Sequence, residues 1–102
     1  MAGFVFRLIP PRPDFVSDMS ADERVTMTEH VAYWSQLTRE GRVLAFGPVN
    51  DPSGPYGIGI VVADDLEAAE ALRHGDPAAR SSPGFRTEIA PMFQLVTPDG
   101  LR

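Results

Sequence analysis

Four short apolar runs and two segments of helical pattern follow one another in the order strand, helix, strand, strand, helix, strand, and this order constrains the fold more than any other feature of the sequence. The apolar runs predict strands over residues 4–9, 42–50, 56–63 and 85–96, the last with a bulge or bend expected near Pro91. The helical pattern predicts helices from about residue 20 to residue 40 and from residue 64 to residue 74. The chain has 102 residues, which is the size of one ordinary domain. The sequence therefore predicts a single α+β domain that spans residues 1–102.

The predicted helix boundaries coincide with residues that cap helices. Ser20 and Glu23 have the spacing of a capping box, in which the serine hydroxyl accepts a hydrogen bond from the backbone N–H of the glutamate. Gly75 is suited to end the second helix. Asp76 and Pro77 then have the pattern of a new N-cap followed by proline at the first helical position. A short helical turn is therefore expected after residue 75.

Proline and glycine mark the predicted connections. Residues 10–19 are expected to form a loop, because prolines 10, 11 and 13 lack the N–H that a central strand needs. Residues 51–55 have a dense turn pattern, which predicts a hairpin between the second and third strands. Gly47 and Pro48 are expected to end the regular part of the second strand. Residues 80–84 are predicted to be a loop and residues 97–102 a polar tail.

The predicted order of elements is that of a split βαβ, or ferredoxin-like, arrangement, in which two helices cover one face of a four-stranded antiparallel sheet. The first strand has apolar residues on both faces, with Phe4, Phe6 and Leu8 on one and Val5 and Ile9 on the other. A sheet that is apolar on both faces but has helices for only one of them leaves an apolar surface uncovered. The sequence therefore predicts a symmetric homodimer in which the two sheets face each other.

Each helix has an apolar stripe at i, i+3 or i+4 and i+7 spacing, and we expect both stripes to face the sheet. The stripe of the first helix consists of Met27, His30 or Val31, Trp34 and Leu37. The stripe of the second helix consists of Leu66, Ala69 and Leu72 or Arg73.

Composition excludes several kinds of chemistry and partner. The chain has no cysteine and no lysine, so thiolate nucleophiles, Cys-ligated metals and Schiff-base lysines are excluded. The formal net charge of −5 makes nucleic acid and anionic membrane surfaces unlikely partners. No run approaches the ~20 apolar residues of a membrane span, and the first residues lack the basic region of a signal peptide. A cytoplasmic location is therefore expected.

His30 is the leading candidate for acid–base chemistry, because a partly buried histidine near a carboxylate titrates close to neutral pH. The alternative interpretation is an inert core histidine. Asp76 is the candidate that would orient His30, although its position before proline also predicts a simple N-cap. His74 lies in the last turn of the second helix, where its positive charge would suit the helix dipole.

Other residues are candidates for a substrate pocket. Trp34 and Phe46 would line it if they are not ordinary core residues, and Gly47 and Pro48 would form its floor if they are not a strand-ending bulge. Arg7 interrupts an apolar strand and would either bind a substrate carboxylate or pair with an acidic residue across the dimer. The two histidines and the scattered carboxylates fit no metal-ligand spacing, so no metal and no cofactor are expected.

The chain also resembles the YCII-related domain (YciI-like) family over nearly its whole length. The residues that carry the resemblance are Phe6-Arg7-Leu8, Pro10-Pro11-Arg12-Pro13, Asp18-Met19-Ser20, Met27, His30, Tyr33-Trp34, Gly41, Phe46-Gly47-Pro48-Val49, Asp51-Pro52, Gly54, Tyr56-Gly57, Asp76-Pro77, Gly84, Ile89 and Pro91-Met92. The resemblance implies a ferredoxin-like subunit in a dimeric α+β barrel and a His–Asp dyad formed by His30 and Asp76. Dehydrochlorination of a hydroxylated aromatic compound has been associated with the family.

Three functions are consistent with these features. The leading hypothesis is a small cofactor-free enzyme in which His30 and Asp76 catalyse an isomerisation or an elimination, such as dehydrochlorination, on a small and possibly aromatic molecule. Its pocket would lie between the helices and the sheet, with residues 10–19 over the entrance. The alternative is a non-catalytic dimeric module that binds a ligand or regulates a partner. A third hypothesis is a haem-dependent or cofactor-free monooxygenase, for which His30 would be the axial ligand of a haem.

Overall fold

The chain folds into the predicted order of strands and helices, with three short additional elements. The structure, a computed structural model, describes residues 1–81 and 84–101. The elements in chain order are β1 (Ala2–Ile9), α1 (Phe15–Asp18), α2 (Ala21–Arg39), β2 (Val43–Val49), β3 (Tyr56–Ala63), α3 (Leu66–Gly75), α4 (Pro77–Ser81), β4 (Arg86–Pro91), β5 (Val96–Thr97) and β6 (Gly100–Leu101).

The four long strands form one antiparallel sheet in the order β2-β3-β1-β4. β1 therefore lies in the middle of the sheet and pairs with β3 on one side and β4 on the other. This order separates β1 from β2 by one strand and β3 from β4 by one strand, as the split βαβ arrangement requires. The predicted α+β class and the four-stranded antiparallel sheet are confirmed.

The core lies between the sheet and the helices. Phe4, Phe6 and Leu8 of β1 are each no more than 3% exposed, and they pack with Trp34 of α2 and Leu72 of α3 in one apolar cluster. The alternate residues of β1 point to the opposite face of the sheet. There Val5 and Ile9 are half-buried and Arg7 is exposed, so this face is less covered than the helix face.

The sequence correctly predicts how the long helix α2 begins. Ser20 accepts a hydrogen bond from the backbone N–H of Glu23 at 3.1 Å, and the Glu23 carboxylate accepts one from the backbone N–H of Ser20 at 2.8 Å. His30, Trp34 and Leu37 of the predicted stripe are buried, whereas Val31 is 48% exposed. Of His30 and Val31, the two residues considered for the second position of this stripe, His30 is therefore the one that faces the sheet.

The segment between β1 and α2 is not the simple loop that its prolines predict. It contains the one-turn helix α1, whose Phe15 is 3% exposed and meets the ring of Phe85 edge-on at 5.2 Å. Arg12 connects this segment to α2, because its guanidinium contacts both Asp18 and Glu23 at 2.8 and 2.7 Å. Long-range packing of one aromatic ring therefore imposes a helical turn that the local sequence does not indicate.

The end of the chain also differs from the prediction. The fourth strand ends at Pro91 rather than at residue 96, and residues 96–101 form a small hairpin instead of a polar tail. Leu95, between the two, is 6% exposed and lies against Gly3. A Cβ atom at Gly3 would come within 2.8 Å of the Leu95 side chain, so this packing depends on a glycine in the first strand.

Three smaller predictions are wrong. Gly47 and Pro48 do not end the second strand, since they pair with Ile58 and Gly57; β2 is an edge strand, where a proline is tolerated. Leu66 does not face inward but is 47% exposed in the first turn of α3. Of the predicted loop 80–84, residues 80 and 81 belong to α4, and residues 82–83 lie outside the described residues.

Within the described part of the chain, no helix is both long enough and apolar enough to cross a membrane.

Candidate active site

The junction between α3 and α4 holds a fully buried carboxylate. Gly75 ends α3, and Asp76 then takes an extended conformation with φ −65° and ψ 125°. Its Oδ1 accepts a hydrogen bond from the backbone N–H of Ala78 at 2.9 Å, so the predicted N-cap of α4 is present. Asp76 is nevertheless 0% exposed, which is unusual for an aspartate that serves only as a cap, because caps ordinarily lie at the surface.

His30 is the partner of this carboxylate. It lies in the middle of α2, is 7% exposed, and places Nδ1 2.9 Å from both Oδ1 and Oδ2 of Asp76. An ionised carboxylate can only accept hydrogen bonds, so beside ionised Asp76 the ring proton lies on Nδ1, which donates a hydrogen bond to the carboxylate. Nε2 makes no hydrogen bond to the described residues, and in the neutral ring it holds the lone pair.

Trp34 is a third member of the buried cluster, and sequence analysis assigned it only a place in the pocket wall. Its indole Nε1 donates a hydrogen bond to Asp76 Oδ2 at 2.9 Å, and its side chain is fully buried. The sequence could have indicated this role through the spacing of His30 and Trp34, because residues four apart lie on the same side of a helix and can reach the same partner. With Ala78, Asp76 accepts hydrogen bonds from three donors, which occupy three of the roughly four acceptor positions of an ionised carboxylate.

Tyr33 and Gly75 pack next to the cluster formed by His30, Trp34 and Asp76. The Tyr33 hydroxyl donates to the carbonyl oxygen of Leu72 at 2.6 Å, and its ring meets Trp34 edge-on at 5.9 Å. Burial raises the pKa of Tyr33, and the nearby negative charge of Asp76 adds to the effect. Gly75 lies directly against the Tyr33 ring, so the absence of a side chain there lets α3 and α2 approach closely.

A cavity of about 240 Å³ opens beside His30 on the helix face of the sheet. Four of the predicted pocket residues line it, namely Trp34, Phe46, Gly47 and Pro48. The further lining residues are Phe6, Leu8, Pro10, Phe15, Val16, Met19, Met27, His30, Val31, Pro55, Tyr56, Gly57, Ile58 and Phe85. Almost all of these side chains are apolar, and His30 contributes its imidazole ring.

The structure does not bring Arg7 to this cavity. Arg7 lies on the opposite face of the sheet, where its guanidinium is 3.4 Å from Glu88 and 4.6 Å from the centre of the Tyr56 ring. Arg7 therefore pairs with an acidic residue of its own chain, and not with one across a dimer as the pairing alternative predicted.

Residues 10–19 lie at one side of the cavity, as the sequence suggested. Phe15, Val16 and Met19 contribute to its lining. The segment is held to α2 by the ion pair between Arg12 and Glu23, whose hydrogen bond raises the pKa of Arg12 and lowers the pKa of Glu23 to about 2. Opening this side of the cavity would require that ion pair to break or the segment to move with α2.

The donor atoms near the cavity do not form a metal site of the usual kind. Within residues 1–81 and 84–101 there is no group of three or more His, Asp or Glu side chains that could hold a metal ion. At the cavity, Nε2 of His30 is a single nitrogen that could serve as a metal ligand. His74 is far less buried, with 68% of its side chain exposed at 3.5 Å from Glu70, in keeping with the helix-end position predicted for it.

Comparison with protein families gives one assignment. The family model described as YCII-related domain matches residues 4–93. The match covers most of the chain, including both His30 and Asp76, and the chain belongs to this family. No curated protein matches the chain.

Proposed function

We propose that this member of the YCII-related domain family is a small enzyme that moves protons with its own side chains. His30 is the general acid–base, and Asp76 orients it. The observation that carries the proposal is the 2.9 Å contact between His30 Nδ1 and the buried Asp76 carboxylate, on a histidine that also lines a cavity. A histidine held in one tautomer by a carboxylate is an efficient proton acceptor at neutral pH.

The proton transfers follow from this tautomer. Nε2 accepts a proton from an acidic C–H or O–H bond of the bound molecule, and the Asp76 carboxylate stabilises the imidazolium that forms. In an elimination, the electron pair left on the substrate forms a double bond as the leaving group departs with its own electron pair. The imidazolium then returns its proton to the departing anion or to water. In an isomerisation, it returns the proton to a different atom of the substrate.

A homodimer belongs to the same proposal. Val5 and Ile60 are only half-buried on the face of the sheet away from the helices, and Phe93 is fully exposed near the end of β4. A second copy would cover this face by symmetric sheet-to-sheet packing. Light scattering should give twice the chain mass at micromolar concentration, and Ile60→Glu should give the single chain mass. A wild-type protein that is monomeric at these concentrations would contradict the dimer.

A ligand-binding module without catalysis is the second candidate. It is favoured by the nearly uniform apolar lining of the cavity, in which His30 is the main polar group that a ligand would meet. Such a module would bind small molecules in the same cavity without exchanging their protons. Proton exchange therefore separates the two candidates.

The deciding experiment measures His30-dependent exchange of C–H protons with solvent. Small ketones, lactones and hydroxylated aromatic compounds are incubated with the protein in deuterium oxide, and deuterium uptake is followed by NMR. For at least one compound, we expect His30→Ala to slow the exchange by about 100-fold or more, the usual contribution of a general base. His74→Ala is the matched control, because it removes the other histidine at an exposed site.

The fold of the variant must be checked in the same samples. His30→Ala removes one of three donors to Asp76, which costs about 1–3 kcal/mol and is tolerable for a domain with about 5–15 kcal/mol of stability. Exchange that His30→Ala leaves unchanged in a folded protein would exclude His30 as the acid–base. Binding of the compounds without exchange in the wild type would leave the binding module as the function.

A further inference from the structure

We propose that Trp34 is a positioning residue for the pair formed by His30 and Asp76. Its indole N–H holds the Asp76 carboxylate in the orientation in which His30 presents the lone pair of Nε2 to the cavity. The inference rests on the function proposed for His30 and adds a residue that acts through Asp76 and transfers no proton itself. It follows from the donors to the carboxylate, from the packing of the indole and from the tautomer of the imidazole.

Each oxygen of the Asp76 carboxylate has a donor of its own besides His30. The backbone N–H of Ala78 donates to Oδ1 at 2.9 Å, and the indole N–H of Trp34 donates to Oδ2 at 2.9 Å. His30 Nδ1 is at the same distance, 2.9 Å, from both oxygens. Because donors from two different helices hold the two oxygens, the plane of the carboxylate is fixed independently of the imidazole.

The indole takes the place that water has at an ordinary helix cap. The cap itself uses only one carboxylate oxygen, which here is Oδ1. In a surface cap the second oxygen is hydrated, but Asp76 is 0% exposed, so Oδ2 depends on donors from the protein. Without the indole N–H, Oδ2 would keep only the hydrogen bond from His30, and no second anchor would oppose rotation about the Cβ–Cγ bond of Asp76.

The indole is itself held rigidly. Trp34 is fully buried, and the centre of its ring lies 4.3 Å from that of Phe6 and 6.4 Å from that of Phe46. Tyr33 meets it edge-on at 5.9 Å. A Cβ atom at Gly59 would come within 3.5 Å of its six-membered ring, so the sheet lies directly against it. Nε1 therefore donates from a fixed position, as a group that orients another side chain must.

The orientation of the carboxylate decides which nitrogen of His30 accepts a proton. A neutral imidazole carries one N–H, and the hydrogen bond made by one nitrogen determines the state of the other. While Nδ1–H donates to Asp76, Nε2 has the lone pair, and His30 lines the cavity. A carboxylate that turned away from Nδ1 would allow the tautomer with the proton on Nε2, which cannot accept one from a bound molecule. Trp34 therefore keeps the base in its active tautomer before a ligand binds.

Removing the indole N–H while keeping the shape of the ring tests the proposal. Trp34 is the single tryptophan of the chain, so growth with benzothienylalanine in place of tryptophan changes this position alone. The analogue retains two fused rings and has sulfur where the indole has N–H, so it cannot donate a hydrogen bond to Asp76. Trp34→Phe is the second variant and also lacks the donor.

Tyr33→Phe is the matched control. It removes the hydrogen bond from the Tyr33 hydroxyl to the carbonyl oxygen of Leu72 and keeps the ring that meets Trp34 edge-on. Tyr33 does not contribute to the cavity lining that the described residues form. The control therefore loses a hydrogen bond next to the indole but no donor to Asp76.

The first measurement is the ¹⁵N NMR spectrum of the His30 ring at pH 9. Every protein also carries His74→Ala, so His30 is its single histidine, and urea denaturation establishes that each protein is folded. A ring nitrogen that carries a proton and one that holds a lone pair have well-separated shifts. We expect Nδ1 to carry the proton in the parent chain and in Tyr33→Phe. In the two proteins without the indole N–H, the two shifts should approach each other.

The second measurement is deuterium exchange of the ketones, lactones and hydroxylated aromatic compounds named above, over a range of concentrations. Loss of the indole N–H should lower the maximal exchange rate by about tenfold or more, because a misplaced catalytic group can cost about 100-fold. In the benzothienylalanine protein the half-saturating concentration should be nearly unchanged, because the cavity wall keeps its shape.

The proposal requires both changes in the benzothienylalanine protein, and either change without the other overturns it. Changes of the same size in Tyr33→Phe also overturn it, because they would follow from lost stability and not from a lost donor. Exchange of none of the compounds by the parent chain would contradict the proposed function instead. In that case, shifts that change in both Trp34 variants support the positioning role, and unchanged shifts overturn it.

Discussion

Trp34 Nε1 lies 2.9 Å from Asp76 Oδ2, the same oxygen that lies 2.9 Å from His30 Nδ1. The long helix α2 therefore supplies two donors, four residues apart, to one carboxylate at the start of α4. Asp76 joins these two elements and orients the histidine at the same time. The indole is also part of the cavity wall, so a ligand in the cavity would contact the group that fixes the carboxylate.

Trp34→Phe tests this relationship. The variant keeps an aromatic ring but leaves Asp76 Oδ2 without the indole donor, which should cost about 1–3 kcal/mol of unfolding free energy. Part of the loss also comes from the smaller ring, so urea denaturation is measured for Trp34→Phe, Asp76→Asn and the double variant. The double-mutant cycle should give a coupling of about 0.5–3 kcal/mol. Strictly additive effects would mean that the hydrogen bond contributes nothing to stability.

Asp76→Asn tests the orientation of His30. An amide can accept from only one oxygen and brings an N–H₂ group towards donors, so the cluster of His30, Trp34 and Ala78 loses part of its hydrogen bonding. We expect the chemical shifts of the His30 ring, followed by NMR from pH 5 to 9 with His74→Ala for assignment, to differ between the wild type and this variant. A His30 signal that is identical in both proteins would contradict the dyad.

Gly75→Ala tests the close approach of α3 and α2. A Cβ at residue 75 would lie 3.0 Å from Tyr33 Cζ and closer still to the hydroxyl oxygen, so the stability should fall by about 1–3 kcal/mol. Gly47→Ala is the matched control, because a Cβ there meets nothing within 4 Å, and its stability should change by less than about 0.5 kcal/mol. Equal losses in urea denaturation would show that glycine flexibility, and not the contact, is responsible.

The ion pair between Arg12 and Glu23 predicts a dependence of stability on acid. The hydrogen bond from Arg12 lowers the pKa of Glu23 from 4.5 to about 2. Its contribution to stability is therefore complete above about pH 4.5 and is lost as the pH falls towards 2. Glu23→Gln should reduce the slope of stability against pH in this interval in urea titrations.

Glu67→Gln is the control for that titration, because it removes an exposed carboxylate of α3. Equal losses of stability in Glu67→Gln and Glu23→Gln between pH 4.5 and 2 would assign the acid sensitivity to another group.

The sequence alone determined the elements whose causes are local. Alternating apolar residues predicted β1 and β3, and the capping box of Ser20 and Glu23 located the start of α2. Asp76 before Pro77 predicted the cap of α4. Each of these features depends on hydrogen bonds or side-chain spacing within a few residues, which a sequence displays directly.

Only the tertiary structure decided the features that depend on distant residues. Phe15 forms a helical turn because it packs on Phe85, and Leu95 lies against Gly3, which leaves room for it. Local sequence predicted both the cap at Asp76 and a role beside His30 as alternatives, but packing of α2 against α4 makes them simultaneous. Trp34 joined the site for the same reason, since its donor finds Asp76 only when residues 42 positions apart in the chain are brought together.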